Sequence, residues 1–167
     1  EKYQCSAHNK VLATDSSDAG PMQKDTKCAG SACKSPEINV FINPEVDIQD
    51  GKLLISAETN LPKDSPVMAM VVSPIMIGGD GYLAQQNTTV KINGSMRFKP
   101  FSNNETPLRA GPYEITISTP FAKLQPESVR MLIGEFGENL SGNLVEKFTL
   151  NGITDQTINY KFKIDIP

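Results

Sequence analysis

The chain has 167 residues, of which 38% are hydrophobic and 21% charged, with a formal net charge of −3 and no tryptophan. A chain of this length buries roughly 68–70% of its unfolded surface, enough for one domain with or without a small appendage. No basic stripe provides the electrostatic footprint of a nucleic-acid binder. No apolar run reaches the roughly 18–20 residues of a membrane span; the longest, residues 67–77, is broken by Ser73 and Pro74.

Residues 1–36 differ from the rest. They hold all three cysteines and the only histidine, and they lack the apolar residues for a core of their own. Such a segment is expected to be tied down by a cross-link or a metal, or to be a tail. The chain begins Glu-Lys-Tyr rather than Met, and is expected to be a mature form after removal of an export signal.

Beyond Pro36 the pattern becomes strand-like. Ile38, Val40 and Ile42 alternate with Asn39, Phe41 and Asn43, and Leu53, Ile55 and Ala57 share one face. The stretch 65–74 is apolar on both faces, as a central strand requires. Residues 87–101 read as a hairpin turning at Asn93-Gly94. Tyr113, Ile115 and Ile117 alternate with Glu114, Thr116 and Ser118; Val129, Met131 and Ile133 suggest a further strand. The clearest alternation is at the C-terminus, where Ile158, Tyr160, Phe162, Ile164 and Ile166 oppose Asn159, Lys161, Lys163 and Asp165. One wet face marks an antiparallel sheet. No segment has a convincing helical period, although residues 122–129 have room for one turn. Seven to nine short strands separated by Pro and Gly predict an all-β fold, an antiparallel β-sandwich over residues 37–167.

Leu108, Gly111 and Tyr113, followed by alternating Ile115 and Ile117, resemble a motif of immunoglobulin-like and fibronectin-like domains in bacterial extracytoplasmic proteins. The resemblance spans roughly residues 37–167 and implies an immunoglobulin-like architecture. It implies no activity. The Cys…Trp…Cys signature of antibody-type domains is absent.

Cys5, His8, Cys28 and Cys33 form Cys-x2-His, a long gap, then Cys-x4-Cys. Structural zinc takes four N/S ligands in two close pairs, because two short turns brought together satisfy a tetrahedral ion. Tyr3, Cys5, His8, Asn9, Lys10 and Val11 resemble the first knuckle of a small bacterial zinc ribbon, with His8 in place of the second Cys and Asn9 in place of the usual Gly. The four-residue gap between Cys28 and Cys33 departs from the usual two. A disulfide among Cys5, Cys28 and Cys33 is the competing reading and goes with an oxidising compartment. Neither arrangement is expected to be catalytic; for zinc, four protein ligands leave no open position for substrate.

Other candidates have plainer explanations. Cys5 and His8 lie three residues apart on a terminal segment, a poor nucleophile pair. Glu45, Asp47, Asp50, Asp80, Glu135 and Glu138 lack the spacing of a calcium loop. Asn87, Asn93, Asn104 and Asn139 open Asn-x-Ser/Thr sequons, which are expected to fall on exposed turns. Met68, Met70 and Met76 are read first as a buried central strand. Were Ile75 and Ile77 on a loop, an apolar binding patch would form there.

The expected function is a non-enzymatic extracytoplasmic module that binds a protein or cell-surface component, or acts as a spacer. Two alternatives stand beside it. One is an accessory domain of a hydrolase or larger enzyme, with carboxylates converging around Asp80 and Glu135. The other is a cytoplasmic regulatory module whose N-terminal segment zinc organises.

Overall fold

Two hairpins are set by dipeptides with a left-handed backbone. Asp50 and Gly51 have φ of 51° and 69°, and Asn151 and Gly152 have 52° and 79°. Positive φ at both central positions is the two-residue turn whose twist matches that of paired strands. The computed structural model describes residues 36–73, 81–104 and 106–167, and among these are ten strands and one short α-helix. The first dipeptide joins β2 (Ile42–Gln49) to β3 (Lys52–Thr59), and the second joins β9 (Val145–Leu150) to β10 (Ile153–Ile166).

The remaining strands are β1 (Ile38–Asn39), β4 (Pro66–Val72), β5 (Leu83–Thr89), β6 (Ser95–Arg97), β7 (Gly111–Ser118) and β8 (Leu140–Ser141). A five-stranded sheet has the order β5-β4-β7-β10-β9, and a three-stranded sheet the order β2-β3-β6. Every pairing in both sheets is antiparallel. β1 and β8 form a separate parallel pair. The all-β expectation holds for the described residues, with ten strands rather than seven to nine.

Period two explains the core. Leu53, Ile55 and Ala57 from β3, Val67, Ala69 and Val71 from β4, and Tyr113, Ile115 and Ile117 from β7 are all buried. They belong to one hydrophobic cluster, so the two sheets share a single core. On β10, Ile158 and Ile166 are buried, while Tyr160, Phe162 and Ile164 are partly buried against the same cluster. β4 is flanked by β5 and β7, the central position its apolar sequence predicts.

Three local expectations are corrected. Val129, Met131 and Ile133 lie on the α-helix α1 (Glu127–Ile133), not on a strand. Val129 and Ile133, four apart, are buried while Met131 is exposed, which is helical spacing. Pro126 stands at the N-cap and Gly134 at the C-cap; proline is tolerated at a helix start, and glycine readily takes the positive φ that ends one. Secondly, Asn93-Gly94 is a tight turn but not a hairpin: β5 before it pairs with β4, and β6 after it pairs with β3, so the chain crosses between sheets. Gly94 N–H donates to the Lys91 carbonyl (2.9 Å) and Lys91 N–H to that of Ser95 (2.8 Å). Thirdly, the run from Ile38 to Asn43 is not one strand. It breaks at Val40–Phe41, where Asn60 accepts from Phe41 N–H (3.1 Å) and donates to the Asn39 carbonyl (2.8 Å).

Candidate functional site

The outward face of the five-stranded sheet is laid out by register. One row runs Asn87, Met68, Ser118, Asn159; the next runs Gln85, Met70, Thr116, Lys161; the third runs Leu83, Val72, Glu114, Lys163. Because Val67, Ala69 and Val71 turn into the core, Met68 and Met70 turn out, half-buried on the opposite face. The buried-strand expectation for these methionines therefore holds for the backbone but not for their side chains.

A cleft of about 390 Å³ opens on this face. Met68, Met70, Thr116 and Ser118 form its floor. One wall is the segment Thr119–Pro120–Phe121 with Leu124, on a 3-10 turn (Ala122–Leu124), and the other is β9 with Glu146 and Phe148. Phe121 and Phe148 meet edge-on with ring centroids 5.7 Å apart. Leu124 is 73% exposed, Phe148 47% and Phe121 41%. Glu114 and Lys161 also line the cleft. Asn159 donates from Nδ2 to Glu146 Oε1 (2.7 Å), and its Oδ1 is buried without a hydrogen-bond partner.

Such an arrangement suits capture of an apolar group. Large rings and thioethers left half-open to water gain free energy when a partner covers them, and thioethers adapt their shape to what they meet. Met68 and Met70 stand out in the sequence, whereas Phe121, Leu124 and Phe148 do not. The signal available was the apolar content of residues 148–153 on both sides of Asn151-Gly152, which no internal core requires: Phe148, Leu150 and Ile153 are all exposed.

A second cleft, of about 840 Å³, is lined by Glu37, Glu127, Arg130, Glu135 and Glu138 among others. The chain thus brings Glu135 and Glu138 together with two further acids. Each is engaged locally: Glu135 Oε1 accepts from Arg130 (3.4 Å), and Glu138 Oε2 accepts the Phe136 N–H (2.9 Å). Those bonds shape the loop that follows α1. On β2, Asp47 accepts from the Ile48 N–H (2.8 Å) and from Gln49 (2.7 Å), and Asp50 occupies the hairpin turn. No group of three His, Cys, Asp or Glu suited to a metal ion occurs among the described residues. Cys5, His8, Cys28 and Cys33 lie outside the described residues, as do Ile75, Met76, Ile77 and Asp80.

Two titratable side chains stand apart. Burial pushes the Tyr82 hydroxyl above its ordinary value, with Tyr113 beside it adding to the effect. Burial also raises Tyr113, with Arg109 pulling the other way. The rings meet edge-on at 5.9 Å. Both stand on the core side of the sheet, away from the cleft, and serve the fold.

No helix among the described residues is long and apolar enough to cross a membrane. Comparison with protein-family models, curated proteins and solved structures finds no match for this chain.

Proposed function

We propose that the chain is a non-enzymatic, extracytoplasmic binding module built on an immunoglobulin-like β-sandwich. The cleft floored by Met68 and Met70 would receive a bulky apolar side chain presented by a protein partner. The observation that carries this reading is the exposure of Phe121, Leu124 and Phe148 around that one cleft. The immunoglobulin-like assignment is supported by Tyr113, which opens an alternating strand and donates its hydroxyl to the Arg109 carbonyl (3.0 Å). Tyrosine corners of that family tie a strand back to the backbone a few residues upstream in the same way.

The test is selection from a displayed random-peptide library. Peptides with an aromatic or aliphatic anchor are expected to be enriched on the unaltered chain and lost on Met70→Glu and Phe148→Glu. Equal enrichment on the variants, or none on either, ends the proposal.

Compartment and cross-link go together. A disulfide among Cys5, Cys28 and Cys33 supports the extracytoplasmic reading. Zinc on Cys5, His8, Cys28 and Cys33 supports a cytoplasmic regulatory module instead. The native mass decides: a bridge, formed as the oxidising compartment takes up two electrons, removes two hydrogen atoms, and bound zinc adds the mass of the ion less the protons it displaces. The accessory-domain alternative draws only on the carboxylates beside Arg130. It predicts that Glu135→Gln and Glu138→Gln abolish the action of an attached or cognate enzyme.

A further inference from the structure

The four outer edges of the two sheets are β2, β6, β5 and β9. Exposed edges offer unpaired N–H and C=O groups to other chains, and proteins blunt them with proline, charge or shortness. β2 carries Pro44, Glu45 and Asp47; β9 carries Glu146 and Lys147; β6 is three residues long. β5, Leu-Ala-Gln-Gln-Asn-Thr-Thr, has none of these guards.

Its hydrogen-bonding frame follows from the ladder ends. Val90 N–H donates to the Ser65 carbonyl (3.0 Å) and Ser73 N–H to the Tyr82 carbonyl (2.9 Å), and these contacts bracket the register Pro66↔Thr89 to Val72↔Leu83. In an antiparallel ladder alternate residues turn both backbone groups to the same neighbour. Ala84, Gln86 and Thr88 therefore face β4. Leu83, Gln85, Asn87 and Thr89 turn their N–H and C=O outward, where no described strand pairs with them.

We infer that β5 is a self-association edge: two copies of the chain pair antiparallel about a two-fold axis at Gln86 and merge their five-stranded sheets into one. A two-fold at Gln86 sets Leu83 opposite Thr89 and Gln85 opposite Asn87. Outward-turned residues thus meet outward-turned residues, the condition for mutual bonding, and about eight main-chain hydrogen bonds form. No charge lies within the strand. At its ends Lys91 meets Gly81 of the second copy, so like charges do not oppose each other. The same operation on β2, centred on Val46, would set Pro44, which has no N–H, against Ile48. The side chains of Leu83, Gln85, Asn87 and Thr89 are exposed, so amide–amide pairs form across the seam with no steric reorganisation of the core. No residue of β5 lines the apolar cleft, and the inference stands independently of the cleft's function.

The test uses the full chain. Sedimentation across a concentration series is expected to show a mass rising from one chain towards two. In the same series hydrogen exchange at the amides of Leu83, Gln85, Asn87 and Thr89 slows as concentration rises, whereas Gln86 and Thr88 are protected throughout. The double variants Gln85→Lys/Asn87→Lys and Gln85→Glu/Asn87→Glu each oppose like charges, raising the dissociation constant about ten-fold or more. Mixed in equal amounts they pair with each other, which no loss of folding would produce. A chain that stays single throughout, or that dimerises without protecting those four amides, overturns the inference.

Discussion

The ring of Phe148 meets that of Phe121 edge-on, with planes 87° apart, and both rings remain more than two-fifths exposed. An edge-to-face pair contributes about 0.5–1.5 kcal/mol beyond its area. A wall so open to water adds little to folding, and its apolar surface is better explained by what it meets. Phe148→Ala is therefore expected to lower stability by about 1 kcal/mol or less, while peptides selected on the unaltered chain lose most of their affinity. Urea unfolding beside a peptide titration checks both. A stability loss of core size would place Phe148 in the core rather than at a binding site.

Ile115 supplies the contrast. It is fully buried at the centre of β7, pairing with Val71 on one side and Phe162 on the other. Truncation to Ala leaves a cavity that neighbours held by two ladders cannot collapse into. The expected cost is about 2–5 kcal/mol, a large part of the stability of a domain this size, read from urea or thermal unfolding.

Tyr113 and Tyr82 give the fold an alkaline limit. Each hydroxyl is raised above the ordinary value of 10.0 in the folded chain. Above that value the unfolded chain releases these protons first, so it binds fewer protons than the folded chain and stability falls as pH rises. Below it both states hold the proton and the contribution is constant. The loss is expected to begin near pH 10 and to continue through the folded-state values. Tyr113→Phe removes the bond to Arg109, costing about 1 kcal/mol at neutral pH, and flattens part of the alkaline decline. Unfolding measured from pH 8 to 11 tests this; an unchanged slope in the variant would assign the decline to other groups.

The buried face of the fold was legible in the sequence because alternation records which side chains leave water. Leu53, Ile55 and Ala57, and likewise Tyr113, Ile115 and Ile117, are buried as their spacing predicts. What alternation misses is structure too short for a period. The seven residues of α1 place only Val129 and Ile133 inward, and three apolar residues two apart fit a strand as well as a helix. Pro44 reads as a breaker, yet it sits inside β2, where it pairs with Ala57 on an edge strand that tolerates a missing N–H. Half of the cleft was legible: Met68 and Met70 stand out by composition, whereas Phe121 and Phe148 are 27 residues apart and only the docking of β9 against β10 brings them together. The crossover at Asn93-Gly94 was hidden for a related reason, since the turn's chemistry is local and the choice of partner strands is not.

That turn also permits a comparison with the hairpin at Asn151-Gly152. Gly94 and Gly152 share a φ of 79°, so replacing either with Ala imposes the same left-handed strain, about 1 kcal/mol. Their surroundings differ. A Cβ at Gly152 meets nothing within 4 Å, whereas one at Gly94 runs into the Thr59 carbonyl oxygen. That oxygen belongs to a residue whose N–H donates to the Gly94 carbonyl (3.0 Å) and whose hydroxyl donates to the Phe41 carbonyl (2.7 Å), so it cannot retreat without loosening the end of β3. Gly152→Ala is expected to cost about 1 kcal/mol and Gly94→Ala at least about twice that, in paired urea titrations. Equal costs for the two variants would mean that the Thr59 carbonyl yields freely and that the crossover is softer than its hydrogen bonds imply.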